Sequence, residues 1–293
     1  MIGWAGAFGT SRPRDFWRSA PRNFRIGLAL LVAYLAIAAI GPFIAPYGAT
    51  EIGTGPPVSG MSLQHPMGVD QIGRDVFSRV LHGAHLVILL SLAGTALGLA
   101  LGSLIGLLSA YVGGFFDEAV QRIIEAFVSI PYIVLGLLAV YAAGPEFAGR
   151  PALMVLVIAI VYAPRIARMA RAAALDIVTR DYVTAARLRG ERPMSVIWHD
   201  LTPNTASTLL VEFALRTGYA PALIAAFGFL GFGVQPPTPE WGAMISENRN
   251  LILLAPATVL GPGLSLAFLV IAVNLTAEGL ARMLGQSVDL SVQ

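Results

Sequence analysis

Long apolar runs, broken by short polar stretches, dominate this chain. A helix needs about 20 apolar residues to cross a bilayer. Six runs reach that length and predict spans at Ile26–Pro46, His85–Tyr111, Ala119–Ala143, Pro151–Ala170, Ala206–Gly233 and Leu254–Leu280. Backbone groups in hydrocarbon must pair within their own segment, so helix is the expected form. The roughly ten-residue alternation of a membrane barrel does not occur in the sequence. The expected fold is all-α and polytopic, with six transmembrane helices.

One polar interruption stands out, YVTAARLRGERPMSVIWHDLTPN at Tyr182–Asn204. A first helix is expected to start near Thr179 or Asp181, with a weak apolar stripe at Val183, Ala186 and Leu188. Gly190 supplies a left-handed stop, and Pro193 suits the first turn of a second helix. Met194, Ile197, Trp198 and Leu201 then recur as one amphipathic face. Pro203 and Asn204 are expected to end that helix before the fifth span. Two helices this short are unstable alone, so they need a surface: the bilayer, or a partner with a groove. Turn-rich GTGPPVSG (Gly53–Gly60) and VQPPTPEWG (Val234–Gly242) read as exposed loops, with Trp241 at the membrane interface.

Composition and charge add a direction. The 293 residues are 56% hydrophobic and 12% charged, with a mean hydropathy of +0.72. All 19 basic residues are arginine. Arg12, Arg14, Arg18, Arg22 and Arg25 precede the first span, and seven more lie between Arg165 and Arg192. Arg74 and Arg79, after the first span, are offset by Glu51, Asp70 and Asp75. The positive-inside rule places the N-terminus and the Arg165–Asn204 region in the cytoplasm, and six spans return the C-terminus to the same side. The first segment reads as a retained anchor, not a cleaved leader. A net charge of +2 gives no reason to expect nucleic acid as a partner. There is no cysteine, which excludes disulfides and thiolate metal sites. P-loop, HExxH and GxSxG patterns are also absent from the sequence.

Several residues carry candidate chemistry. Gly94, Gly98, Gly102 and Gly106 repeat every fourth residue and form a groove for close helix approach, with a substrate-lining role as the alternative. Glu212 and Arg216, one turn apart, are either a self-neutralising pair, a polar lining of a translocation path or an ion-coupling site. His65, His82 and His85, near Met61 and Met67, suggest surface histidines or, without a third compelling ligand, a metal site.

With these features in place, the chain resembles the C-type inner-membrane permease of the dipeptide, oligopeptide and nickel group of binding-protein-dependent ABC importers, from about Arg18 to Leu284. HPMGVDQIGRDVFSRVLHGAH (His65–His85) matches an extracytoplasmic signature, with Gly68, Asp70, Gly73, Arg74, Asp75, Ser78, Arg79 and Gly83 in register. FLGFGVQPPTPEWGAMI (Phe229–Ile245) matches a second. The cytoplasmic loop matches at Ala185, Ala186, Gly190, Ile197, Leu201, Pro203 and Asn204.

The resemblance implies a type I ABC importer permease fold in a bacterial inner membrane, with residues 1–25 cytoplasmic and a permease domain over 26–293. The extracytoplasmic loop would cover 47–83 and the coupling loop 172–205. Implied partners are a second, B-type permease, one or two ABC ATPase subunits, an extracytoplasmic substrate-binding protein and the lipid bilayer. The chain would bind no cofactor and perform no catalysis; ATP and Mg would be used by the ATPases. Ala185, Ala186, Gly190, Met194, Ile197, Trp198 and Leu201 would couple to the ATPase. Arg74, Asp75 and Arg79 would organise the loop that meets the binding protein or second permease, or would simply fix its shape by ion pairs. Thr184 replaces the family's Glu, Asp200 stands at a His position and Thr202 at a Leu. His85 replaces an Arg, and a carboxylate near Ala225 is missing. The expected grip on an ATPase is therefore apolar, through Met194, Ile197 and Trp198. An ion-coupled secondary transporter is the alternative motivated by Glu212 and Arg216; an intramembrane enzyme lacks a polar set at one depth.

Overall fold

The computed structural model describes residues 20–284. Arg12, Arg14 and Arg18 lie outside them. Ten α-helices are present among the described residues: α1 (Arg22–Ile44), α2 (Val76–Val112), α3 (Gly114–Ser129), α4 (Tyr132–Ala143), α5 (Pro151–Val178), α6 (Asp181–Leu188), α7 (Pro193–Val196), α8 (Thr202–Phe229), α9 (Trp241–Asn248) and α10 (Ala257–Met283). Five helical stretches are long and apolar enough to cross a membrane, and a bent pair makes a sixth.

That pair corrects the expected third span. Between Ala119 and Ala143 the chain forms α3 and α4, which meet at 99°. Pro131 is the cause. A residue before proline is pushed out of the helical region, and Ile130 is extended at ψ 129°. The helix restarts directly after Pro131.

The fifth span departs in the opposite sense. Pro203 does not end a helix. The chain is helical from Pro193 to Phe229 without a break, through a π-helical turn at Ile197–Leu201. In that wider turn the Thr202 amide donates to the Ile197 carbonyl, five residues back. The shifted bonding accommodates the missing N–H of Pro203, which sits in the first turn of α8.

The glycine stripe sets the central helix pair. A Cβ on Gly94 would lie 2.7 Å from the Ile158 side chain, and one on Gly102 2.6 Å from the Ala163 carbonyl. At Gly106 it would collide with the Ala167 carbonyl. α2 and α5 thus touch backbone to backbone, where dispersion supplies the attraction that lipid-like surroundings withhold. α5 buries Met154, Val157, Ile158, Val161 and Ile166 against α2, α4 and α8. On the far side, α1 packs against α10 through Gly27 and Gly279, with Phe24 seated on Gly279.

Candidate functional site

At one end of the bundle, α6, α7 and the π turn form a compact unit. α6 ends in a two-bond cap: the Gly190 amide donates to the Arg187 carbonyl at 3.0 Å, and the Glu191 amide to the Ala186 carbonyl at 3.1 Å. That geometry requires a left-handed residue, and Gly190 has φ +75°. The unit is braced from within. Val183, Ala186, Val196, Ile197 and Leu201 are buried with Leu107 and Ala110 of α2 and Ala170 and Ala174 of α5. The Arg187 guanidinium lies 4.3 Å over the Tyr111 ring and donates to the Tyr111 carbonyl. This ties α6 to the last turn of α2.

The four residues expected on one face are divided by the structure. Ile197 and Leu201 point inward at 1% and 0% exposure, while Met194 and Trp198 point outward at 46% and 61%. Each pair is spaced by four residues, and the pairs lie on adjacent faces about 100° apart. The core takes the pair that faces α2 and α5. Ala186 is buried with it, Ala185 is half-buried, and Gly190 is exposed. Leu188 and Tyr182 join Met194 and Trp198 as exposed apolar side chains. Met194 and Trp198 are thus the exposed apolar side chains of this helix, while Ile197, Leu201 and Ala186 anchor the unit to the bundle.

At the opposite end, the loop between α1 and α2 folds back on the first signature. Thr54, Val58 and Val69 amides donate to the carbonyls of Gly73, Asp70 and Ser59. Asp70 is the hub. Its Oδ1 accepts from the Ile72 and Arg74 amides, and its Oδ2 from Arg74 Nε at 2.6 Å and Arg79 Nη1 at 3.1 Å. Glu247 closes the cluster, with Oε2 2.6 Å from Arg74 Nη2 and 2.9 Å from Arg79 Nη1. Arg79 is 1% exposed. Asp75 stays apart: it accepts from the Ser78 amide as the α2 N-cap and meets His65 Nδ1 at 2.9 Å. The ion-pair reading of Arg74 and Arg79 therefore matches the geometry, and Glu247 is the member that sequence reasoning missed.

Two further expectations are corrected here. His65 is buried, not at the surface, and stacks on Tyr47 at 5.3 Å; a buried imidazole needs the partner that Asp75 provides. His82 is half-buried and His85 exposed. Among the described residues no group of His, Asp and Glu could hold a metal. Trp241 is 1% exposed rather than interfacial. Gly83 opens the space for its ring, and Nε1 donates to the Val80 carbonyl at 3.1 Å. Beside it, Glu240 caps α9 through the Gly242 and Ala243 amides. Burial pushes its carboxyl up to about 7, against the pull of those amides.

Glu212 and Arg216 pair at 2.7 Å within α8. Glu212 is buried, and the guanidinium lies 5.8 Å over the Tyr162 ring of α5.

An all-helical bundle of membrane-crossing length, with a helical unit braced at one end and an ionic clasp at the other, defines a polytopic membrane protein of the type I ABC importer permease fold. The chain belongs to the family described as "Binding-protein-dependent transport system inner membrane component", whose model matches residues 98–290. It is similar to a dipeptide transport system permease protein, DppC, of Alkalihalophilus pseudofirmus: 31% identical, covering 90% of this chain and 88% of that protein. A di/tripeptide transport system permease protein of Pseudomonas aeruginosa is 34% identical over 91% of this chain and 89% of its own length. A glutathione transport system permease protein, GsiD, of Escherichia coli is 35% identical over 91% and 88%. A solved structure of the MetNI methionine ABC transporter in inward-facing conformations has the same fold, with a TM-score of 0.53 and 21% identity over 70% of this chain and 95% of that one. The chain is an inner-membrane, multi-pass permease of an ABC importer.

Proposed function

We propose that this chain pairs with a second, B-type permease to form the path of an ATP-driven importer for peptides or similar small solutes. The similarity to dipeptide, di/tripeptide and glutathione permeases supports that substrate class. In this reading an extracytoplasmic binding protein delivers the solute, and one or two cytoplasmic ABC ATPases use ATP and Mg. This chain itself performs no catalysis and binds no cofactor. Both termini and the α6–π unit face the cytoplasm, where the arginine clusters belong.

The observation that carries the reading is the split of the loop. Ile197 and Leu201 fasten it to α2 and α5, while Met194 and Trp198 stay exposed for a partner. A short helical unit fixed to the transmembrane helices moves with them, so a push on its outer face reaches the bundle. Glu212 is held in an ion pair with Arg216, which removes the motivation for a free ion-coupling carboxylate.

Uptake of a labelled dipeptide into proteoliposomes holding the assembled complex is expected to require ATP and the binding protein. Uptake by this chain alone, or uptake driven by a proton or sodium gradient, would refute the assignment. Trp198→Ala is expected to weaken retention of the ATPase by about 2 kcal/mol or more, the size of an interface anchor. The thermal stability of the permease should change little, because Trp198 is 61% exposed. Copurification and a melting curve read the two effects separately.

A further inference from the structure

Arg165, expected at the start of the cytoplasmic region, lies instead within α5, a helix long and apolar enough to cross the membrane; arginines inside a bilayer are costly, and they face the bundle interior or a water-filled cavity. Arg165 on α5 lies about 20 Å along the helix from Pro151, and Arg216 on α8 about 20 Å from Phe229, at about 1.5 Å per residue. The two helices pack together, and Tyr162 links the two residues: it precedes Arg165 by three residues on α5, and the Arg216 guanidinium lies 5.8 Å over its ring. Arg165 is within electrostatic reach of Arg216, Arg168, Tyr162 and Tyr132. Tyr162 is within reach of Arg216, Arg165, Tyr132 and Tyr219. Tyr132 opens α4 directly after the bend at Pro131 and is 49% exposed; Arg168 is exposed as well.

The charges do not balance. Glu212 engages Arg216 through Nε. Among the described residues no carboxylate forms an ion pair with Arg165 or Arg168. Arg165 makes a 3.5 Å contact to the Val161 carbonyl of its own helix. Two guanidiniums therefore lack a counter-ion among the described residues. A guanidinium fork matches a carboxylate in shape and charge, and a tyrosine hydroxyl beside it donates a further hydrogen bond.

We propose that Arg165, Arg168 and Arg216, with Tyr132 and Tyr219, form a cationic site on the translocation path that binds a carboxylate of the transported solute. The site rests on the permease reading above and names the chemistry that the path accepts. Glu212 acts as a positioning residue that holds Arg216 in place. The site favours solutes with negative charge over those with positive charge at the moment they leave the binding protein.

The absence of cysteine in this chain allows a direct test. Tyr132→Cys places one thiol at the site, in a complex assembled with partner subunits whose own cysteines have been replaced. Its reaction with an anionic thiosulfonate reagent is expected to outpace that with a cationic one. Arg165→Gln with Arg168→Gln should lower that ratio about tenfold, as removal of two nearby charges requires. In proteoliposomes the same double variant should lower uptake of alanyl-aspartate relative to alanyl-lysine, also about tenfold, while Arg165→Lys with Arg168→Lys keeps most of the preference. Equal reagent rates, a thiol inert with and without ATP, or an unchanged uptake ratio would overturn the site. So would loss of the second permease from the double variant, which would make the arginines a subunit contact. A wild-type complex that hydrolyses ATP yet carries neither peptide rejects the peptide reading alone, since the labelling arm still decides the site.

Discussion

Gly190→Pro is expected to abolish coupled transport while the chain still inserts in the membrane. Gly190 sits at φ +75°, and proline is locked near −65°, so the turn after α6 cannot form. The Gly190 amide bond to Arg187 disappears with the N–H, and the Glu191 bond to Ala186 loses its geometry. Proline also drives the preceding residue out of the helical region, which displaces Arg189 from its helical ψ of −6°. The local cost is about 3 kcal/mol or more. A Cβ at Gly190 has no neighbour within 4 Å, so the added ring itself meets no membrane helix. The assembled complex should hydrolyse ATP without uptake, or fail to retain its ATPase. Gly190→Asn, which tolerates the left-handed region, should keep most of the coupling. Normal uptake by the proline variant would show that α6 transmits nothing.

Asp70→Ala is expected to destabilise the opposite end by about 3–5 kcal/mol, the range for stranding a buried charge. Both Arg74 and Arg79 lose the oxygen they share. Glu247, on α9, remains as the lone anion for two buried cations. Asp70→Asn separates charge from shape. It keeps an oxygen for the Ile72 and Arg74 amides and loses the charge, so its loss should be intermediate. Thermal melting of the detergent-solubilised complex measures both. A loss below about 1 kcal/mol for the alanine variant would mean that water satisfies the two arginines, as at an exposed ion pair.

The spans were legible because hydrophobic runs of bilayer length leave the backbone few alternatives. The glycine stripe was legible for the same reason: a four-residue repeat is one helix face, and the structure fills it with α5. Gly190 announced its turn, since few other residues occupy that conformation. Other features were hidden. Glu247 lies 173 residues from Arg74, and no local pattern connects them. Trp241 looked like an interfacial tryptophan until Gly83, far away in the chain, made room for it.

The sequence by itself determined that this protein lives in a membrane as helices, that the chain turns at Gly190, and which loop is charged enough to lie outside the bilayer. Only the tertiary structure decided which side of that loop is free. Met194, Ile197, Trp198 and Leu201 are equally apolar on paper. Packing against α2 and α5 buried two of them and left two exposed, because burial depends on what surface arrives from elsewhere in the chain and not on the residue's own chemistry.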